Sequence, residues 1–461
     1  MPSIALDHRP VATPAVSYPS LGAVAHIPGT DGWPIVGNTL QLLADPKGVV
    51  ERFAAKYGPV YRTHAFGRRS ISLLGPEANE FVLFDQAKQF SSTHGWDSVL
   101  GLLFPRGLML LDFDEHRLHR KALSVAFKAG PMKSYLEGLN RGIASGIAAW
   151  IKTSPDLRFY PAIKQLTLDL AAVSFLGSEF GSDVEAIKRA FVEMVAAAVS
   201  VVRRPIPGTQ MNRGVKGRQF MIDYFGRQIA ARRNGDGQDI FTQLCKTTTD
   251  EGALLSPREI VDHMSFLMMA AHDTLTSSFS SFVYFLTVNP DWQQKLREET
   301  QKLGLARGQP LPYERLDDLP LTEMAFKESL RLIPPVPSIP RCAVRDTEFG
   351  GFHIPKGARV NVNPLYTHHM PDVWPEPDTF NPLRFTDEAA RARHKYAFVP
   401  YGGGAHMCIG LHFAYMQAKC FAYHLLTTLD VSAAPNYRPD WKLWPIPQPR
   451  DGLQLKLTPR Q

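Results

Sequence analysis

The sequence predicts a mainly α protein with a minor β part, and three observations carry that prediction. From Glu77 to about Thr287 the pattern is mostly helical, broken only at Pro105, Pro131, Pro155, Pro205-Ile206-Pro207 and Asn234-Gly235. Inside this stretch one unbroken helical pattern runs from Ser256 to Asn289-Pro290, far longer than an ordinary helix. Strict alternation is confined to two places, Val60–Leu74 and Phe349–Val362.

The elements follow in chain order. Met1–Ala25 contains Pro2, Pro10, Pro14 and Pro19 and no apolar block, so residues 1–25 are expected to be a flexible tail without the pattern of a secretion signal. Ile27-Pro28-Gly29 and Gly32-Trp33-Pro34 open a turn-rich entry, and a helix is expected over Pro46–Tyr57. Val60–Ala65 and Ser70–Leu74 read as two strands of a hairpin around Gly67-Arg68-Arg69. Phe349–Val362 alternates around Gly350-Gly351 and Pro355-Lys356-Gly357, which predicts a small sheet. There is no internal repeat and no linker long enough to separate domains, so residues 26–461 are expected to form a single domain.

Composition narrows the function classes. The 461 residues carry 51 Lys+Arg and 44 Asp+Glu, a net charge of +7, with 44% hydrophobic and 21% charged residues. This balance excludes disordered, collagenous and multi-span membrane chains. No run of five or more like charges points to nucleic acid. The longest apolar span, around Val195–Val202, is too short to cross a bilayer, which takes about 20 residues. The four cysteines, Cys245, Cys342, Cys408 and Cys420, form no CxxC pair and no disulfide framework, so a reducing, cytoplasmic setting is expected.

Two segments carry chemistry. In the long helix, Ser256-Pro257-Arg258-Glu259 supplies an N-cap, a first-turn proline and a capping-box glutamate. The helix would span roughly 48 Å at about 1.5 Å per residue. It is apolar nearly all round, yet its middle holds His272-Asp273-Thr274, with Ala270 on the face of Thr274. A carboxylate inside a buried helix is costly unless paired or used. Taken alone, the same residues also read as a capped or solvated notch.

The second segment is Phe398-Val399-Pro400-Tyr401-Gly402-Gly403-Gly404-Ala405-His406-Met407-Cys408-Ile409-Gly410. Three consecutive glycines let the backbone fold tightly against something flat or bulky. Cys408 is expected in the first turn of the helix that follows, where free N–H groups favour a thiolate and hence a soft-metal ligand. A nucleophile or a plain core cysteine remains open on these residues alone; a phosphate loop is excluded, because the Gly-Lys-Ser/Thr ending is absent. Glu328-Ser329-Leu330-Arg331 alone reads as a helical surface pair and Asn381–Phe385 as a proline turn.

Together these pieces resemble the cytochrome P450 family of haem-thiolate monooxygenases, soluble bacterial members included, from about Ile27 to Leu457. Gly402, Gly404, His406, Cys408 and Gly410 match the haem-binding loop, with Tyr401 where phenylalanine is usual. Glu328 and Arg331 match the Glu-x-x-Arg element, and Arg384 matches the third member of its buried triad. Ala270–Thr274 is similar to the oxygen-activation motif, with Ala271 where glycine is usual.

The resemblance implies a triangular α-rich prism holding haem b (iron protoporphyrin IX) between the long helix and the Cys408 loop. Cys408 would be the proximal thiolate ligand of the iron. His116, Arg120, Arg341 and His406 would meet the propionates, and Ala270, Thr274 and Gly410 would line the cofactor. Asp273 and Thr274 would deliver protons during use of O2 as co-substrate. Substrate-pocket candidates are Trp96, Leu100, Phe104, Ala270, Val336, Ile339 and Ile446.

The activity implied is insertion of one oxygen atom from O2 into a hydrophobic small molecule. A short similarity to sterol demethylases at Cys408–Gln417 favours a sterol or terpenoid over a fatty acid. With no flavin or iron-sulfur segment in the sequence, electrons would come from a ferredoxin or flavodoxin and its NAD(P)H reductase, docking near Arg117, Lys121 and Lys128. Peroxygenase chemistry and a non-catalytic haem-binding sensor are the rival readings.

Overall fold

The computed structural model describes residues 17–20, 22–153, 156–177, 184–200, 202–248 and 252–460. Helices dominate between Pro76 and Val288, as the sequence pattern predicts. Residues 1–16 and 21 of the expected tail lie outside the described residues. The end of the tail is folded: Gly22–Val24 forms a 3-10 turn, Val24 is buried, and His26 Nε2 lies 2.8 Å from the His353 carbonyl.

The long helix spans Pro257–Val288. The Ser256 side chain accepts from Glu259 N, and Glu259 Oε2 accepts from Ser256 N at 2.7 Å, completing the capping box. It packs against the helices Phe159–Leu176, Gln210–Asn234 and Pro320–Leu332, at the centre of the main hydrophobic core. Phe279 stacks on Phe421 of the helix Leu411–Thr428, with centroids 4.7 Å apart. Four hydroxyls of its middle are satisfied within the helix: those of Thr274, Thr276, Ser278 and Ser280 each donate to the carbonyl four residues back.

Pro131 does not break a helix. It falls in the first turn of Ala129–Thr153, where a missing N–H has no helical partner to lose. Pro155, another predicted break, lies outside the described residues.

The hairpin turns earlier than the sequence pattern suggests. Its second strand is Arg68–Leu73, and Ala65 pairs with Arg68, so the turn is Phe66-Gly67. Both turn residues have positive φ, 52° and 71°, the geometry that matches the twist of a two-residue hairpin. The expected sheet at Phe349–Val362 divides. Thr347–Phe349 and Phe352–Ile354 pair with each other, whereas Arg359–Val362 joins a larger sheet. That sheet has six strands in the order Gly29–Thr30, Val60–Ala65, Arg68–Leu73, Arg359–Val362, Ile339–Ala343, Phe90–Ser91. It brings Arg341 next to the helices Ser92–Leu100 and Phe113–Ser124.

Candidate active site

The Cys408 loop is shaped by its glycines and by what it lies on. Gly402 and Gly404 adopt φ of 70° and 60°. A Cβ on Gly403 would sit 2.4 Å from the Phe84 ring, and one on Gly404 would sit 2.1 Å from the Leu83 carbonyl. The bulky object the glycine run approaches is therefore the end of the helix Pro76–Leu83. Cys408 N donates to Tyr401 O at 2.9 Å, closing the loop. The following helix begins only at Leu411, so Cys408 precedes it rather than occupying its first turn. The Gly410 N–H still points to the sulfur. Burial raises the Cys408 pKa, while that N–H and the Arg120 charge oppose the rise.

Cys408 is crowded by protein, yet its side chain is accessible, so the sulfur sits in a recess rather than in packed core. The other three cysteines are buried. Cys420, for example, contacts Asn140 Oδ1 at 3.5 Å inside the helical core. Tyr401 packs edge-on against Tyr415, centroids 5.5 Å apart, and burial pushes its phenol pKa well up, so it stays neutral.

Around this recess three distant segments supply nitrogen groups: His116 and Arg120 from the helix Phe113–Ser124, Arg341 from a sheet strand, and His406 from the loop. The His116 and His406 rings lie 3.9 Å apart. Burial, then neighbouring positive charge, drives His116 down to about 4 and His406 to about 2. Burial lowers Arg341 to about 10. Burial also lowers Arg120, and the Cys408 charge opposes it. Asp112, the carboxylate whose charge acts on His116 and Arg341, already accepts from Ser92 N at 2.8 Å, Thr93 N at 3.3 Å and the Ser91 hydroxyl. His116 Nε2 is buried without a hydrogen-bond partner among the described residues. A sulfur in a recess, flanked by two arginines without an ion-pair partner among the described residues and by two neutral imidazoles, fits a metal-bearing group with an acidic edge.

Thr274 Oγ1 donates to the Ala270 carbonyl at 2.7 Å, which confirms that the two share a face. Asp273 turns away from them toward the helix Phe159–Leu176. Its Oδ1 lies 3.1 Å from His272 Nδ1 and 3.4 Å from Lys164 Nζ. Burial raises its pKa, but His272 and Lys164 outweigh burial and hold it below the usual aspartate value. Lys164 is half-exposed, so the carboxylate has a route toward solvent. Nothing near Lys164 in the sequence marks it, because its contacts with Asp273 and His272 join segments far apart in the chain.

Glu328 and Arg331 are not a surface pair. Both are completely buried, joined by hydrogen bonds of 2.7 and 2.8 Å. Arg331 also donates to the carbonyls of His368, Pro377 and Thr379. Glu328 Oε1 accepts from Asn381 N at 2.9 Å and lies 3.4 Å from Arg384 Nε. His368, which no sequence motif marks, carries the network onward: its Nε2 accepts from Val399 N at 3.0 Å, at the start of the Cys408 loop.

Of the pocket candidates, Leu100, Phe104 and Ile339 are buried, while Trp96, Ala270, Val336 and Ile446 are half-buried. Trp96, Leu100, Phe104 and Ala270 belong to the main core, whereas Val336 and Ile339 pack with the sheet. Ile446 joins neither cluster.

A helical fold with a sulfur ligand beside an anion cradle defines a haem-thiolate protein. Comparison with known sequences agrees: the profile described as Cytochrome P450 matches residues 27–457, and the chain belongs to that family. It is 37% identical to "Putative cytochrome P450 136" of Mycobacterium tuberculosis, over 94% of this chain and 88% of that one. It is 32% identical to "Putative cytochrome P450 120" of Synechocystis sp., over 93% and 96% of the two chains. Among solved structures it resembles retinoic-acid-bound cyanobacterial CYP120A1, with a TM-score of 0.84 and 30% identity over 97% and 100% of the two chains. The chain is thus a monooxygenase of the oxidoreductase class that takes haem b through a cysteine thiolate and uses O2. No helix among the described residues is long and apolar enough to cross a membrane.

Proposed function

We propose that the chain inserts one oxygen atom from O2 into a hydrophobic isoprenoid, a terpenoid or a sterol, using Cys408 as the thiolate ligand. The observation that carries the site assignment is the convergence of His116, Arg120, Arg341 and His406 around the recess that exposes Cys408. When bound, the haem supplies the iron at which O2 is activated. Cys408 would hold the metal, the Gly410 N–H would temper the sulfur's charge, and Arg120 and Arg341, with the His116 and His406 imidazoles, would hold the acidic edge.

Thr274 orients a water through its hydroxyl, and Asp273 passes protons from Lys164 and solvent. The isoprenoid preference is supported by the likeness to a structure whose ligand is retinoic acid. Separate redox proteins, a ferredoxin or flavodoxin with its reductase, would supply electrons at the face of Arg117, Lys121 and Lys128, which are exposed.

The test of the thiolate is the carbon monoxide spectrum of the reduced protein. The strongly red-shifted Soret band of thiolate ligation is expected, and its retention in Cys408→His would refute the assignment. Product that needs both an electron donor and O2 separates this reading from a peroxygenase or a sensor. Thr274→Ala should divert electrons to hydrogen peroxide, about tenfold or more per product formed. Unchanged coupling with substrate bound would remove the role given to Thr274.

A further inference from the structure

The helix Phe113–Ser124, which carries His116 and Arg120, packs on the short turns at its two ends, Leu108–Leu110 and Val125–Phe127, and only lightly on the long helix. A pair of buried imidazoles joins the two helices: His119 Nδ1 lies 2.9 Å from His263 Nε2. On its other side, His119 Nε2 lies 3.6 Å from Glu259 Oε1, and the second oxygen of that carboxylate accepts from Ser256 N in the capping box.

This geometry fixes the protons. A ring nitrogen facing a carboxylate carries the hydrogen, so His119 Nδ1 is the acceptor and His263 Nε2 the donor. His263 Nδ1 is then a bare lone pair, and it is buried without a hydrogen-bond partner among the described residues. A further proton on either ring sets N–H against N–H or leaves a buried N–H with no acceptor. Burial lowers the His119 pKa and takes His263 to about 3. Arg106, which donates to Glu115, lowers both rings, while Glu259 and Glu115 raise His119. His116, one turn back, feels the charge of His119. Asp262, next to His263 in the chain, faces Arg218 at 3.4 Å and Arg258 at 3.8 Å.

We propose that His119 and His263 are positioning residues, an acid-labile tie that docks the helix bearing His116 and Arg120 on the long helix and so keeps the acidic edge of the haem in place. This goes beyond the reading above and rests on it, since it takes His116 and Arg120 as cofactor contacts. Each ring is neutral when docked and takes up a proton when the helix lifts away. Docking is therefore strongest above about pH 6.5. It weakens as pH falls, by up to about tenfold per unit for each ring.

The experiment follows haem transfer from the haem-loaded full chain to excess apomyoglobin between about pH 7 and pH 5. His263→Gln places an amide N–H where Nε2 stood, and His119→Asn places an amide oxygen where Nδ1 stood. Each variant keeps the hydrogen bond and removes one titrating ring. At neutral pH each should lose haem within about threefold of the wild-type rate. On acidification its rate should rise about tenfold less per pH unit than that of wild type. His424→Gln removes a buried histidine that is bonded to Asn140 elsewhere in the core, and it should leave the slope of haem loss unchanged. The idea is overturned if a folded variant of either pair member keeps the wild-type slope. It is also overturned if His424→Gln flattens the slope equally, because haem loss would then report global unfolding. The carbon monoxide spectrum separates the two levels: a normal spectrum with an unflattened slope refutes the tie alone, whereas a wild-type spectrum without thiolate ligation refutes the haem-thiolate reading beneath it.

Discussion

Replacing Glu328 with glutamine keeps the side-chain shape and removes one charge from the most deeply buried ion pair near the site. The carboxylate receives two bonds from Arg331 and one from Asn381 N, and it lies 3.4 Å from Arg384. Arg331 is 0% exposed and would be left a cation with only carbonyl acceptors. Removing one partner of such a pair costs about 3–5 kcal/mol. A typical fold is stable by only about 5–15 kcal/mol, so the loss should be a large share of the total.

The damage should reach the haem before it reaches the helices. Arg331 holds the His368 carbonyl, and the His368 ring holds Val399 N at the base of the Cys408 loop. Chemical denaturation followed by circular dichroism measures the stability, and haem content after desalting measures the loop. Glu328→Gln should lower both, and Arg384→Lys should lower stability by about 1 kcal/mol or less, because its contact is long. Replacing Glu328 with leucine and Arg331 with methionine together should cost less than the sum of the two single changes, since no lone charge remains. A Glu328→Gln variant within about 0.5 kcal/mol of wild type, with full haem content, would refute this account.

Two other outcomes are expected. Gly404→Ala combines a positive φ with a Cβ only 2.1 Å from Leu83 O, so it should cost well over the roughly 1 kcal/mol expected for Gly58→Ala, where φ is 88° and nothing lies within 4 Å; thermal melts of the two variants check the order. Acid should destabilise the fold from about pH 6.5 downward, because burial holds His424 and His369 at about 4 and His263 at about 3. Each is neutral when folded and takes up a proton when unfolded, so its stabilising effect is complete above the unfolded value and fades as pH falls toward the folded one. His424→Gln should flatten the slope of stability against pH by about 1.4 kcal/mol per unit over that window, and an unchanged slope would count against the assignment.

The features of the fold legible in the sequence are those that depend on local rules. The capping box at Ser256–Glu259, the helix Pro46–Tyr57 and the first hairpin strand follow from spacing within a few residues. What is not legible depends on distant partners. Arg359–Val362 joins the large sheet because Ile71 and Ile339, far along the chain, offer it two edges. Glu328 and Arg331 read as a surface pair because helical spacing gives the partner and not the depth. Cys408, Asp273 and Thr274 stand out because each conflicts with its local setting, whereas Lys164 and His368 are ordinary in theirs and gain meaning only from contacts across the fold.

Some buried polar groups in this protein are fully provided with partners and others are not. Arg331, Arg297 and Glu299 are buried and well provided with partners: Arg297 reaches Gln293 and Asp430, and Glu299 accepts from Leu321 N, Thr322 N and the Thr322 hydroxyl. Such groups join helices and loops and leave nothing to offer a ligand. His116 Nε2, Arg68 Nη1 and Arg359 Nε are buried and lack partners among the described residues. Of these, His116 Nε2 sits among Arg120, Arg341 and His406 at the Cys408 recess, and the acidic edge of the cofactor is the partner that would complete it.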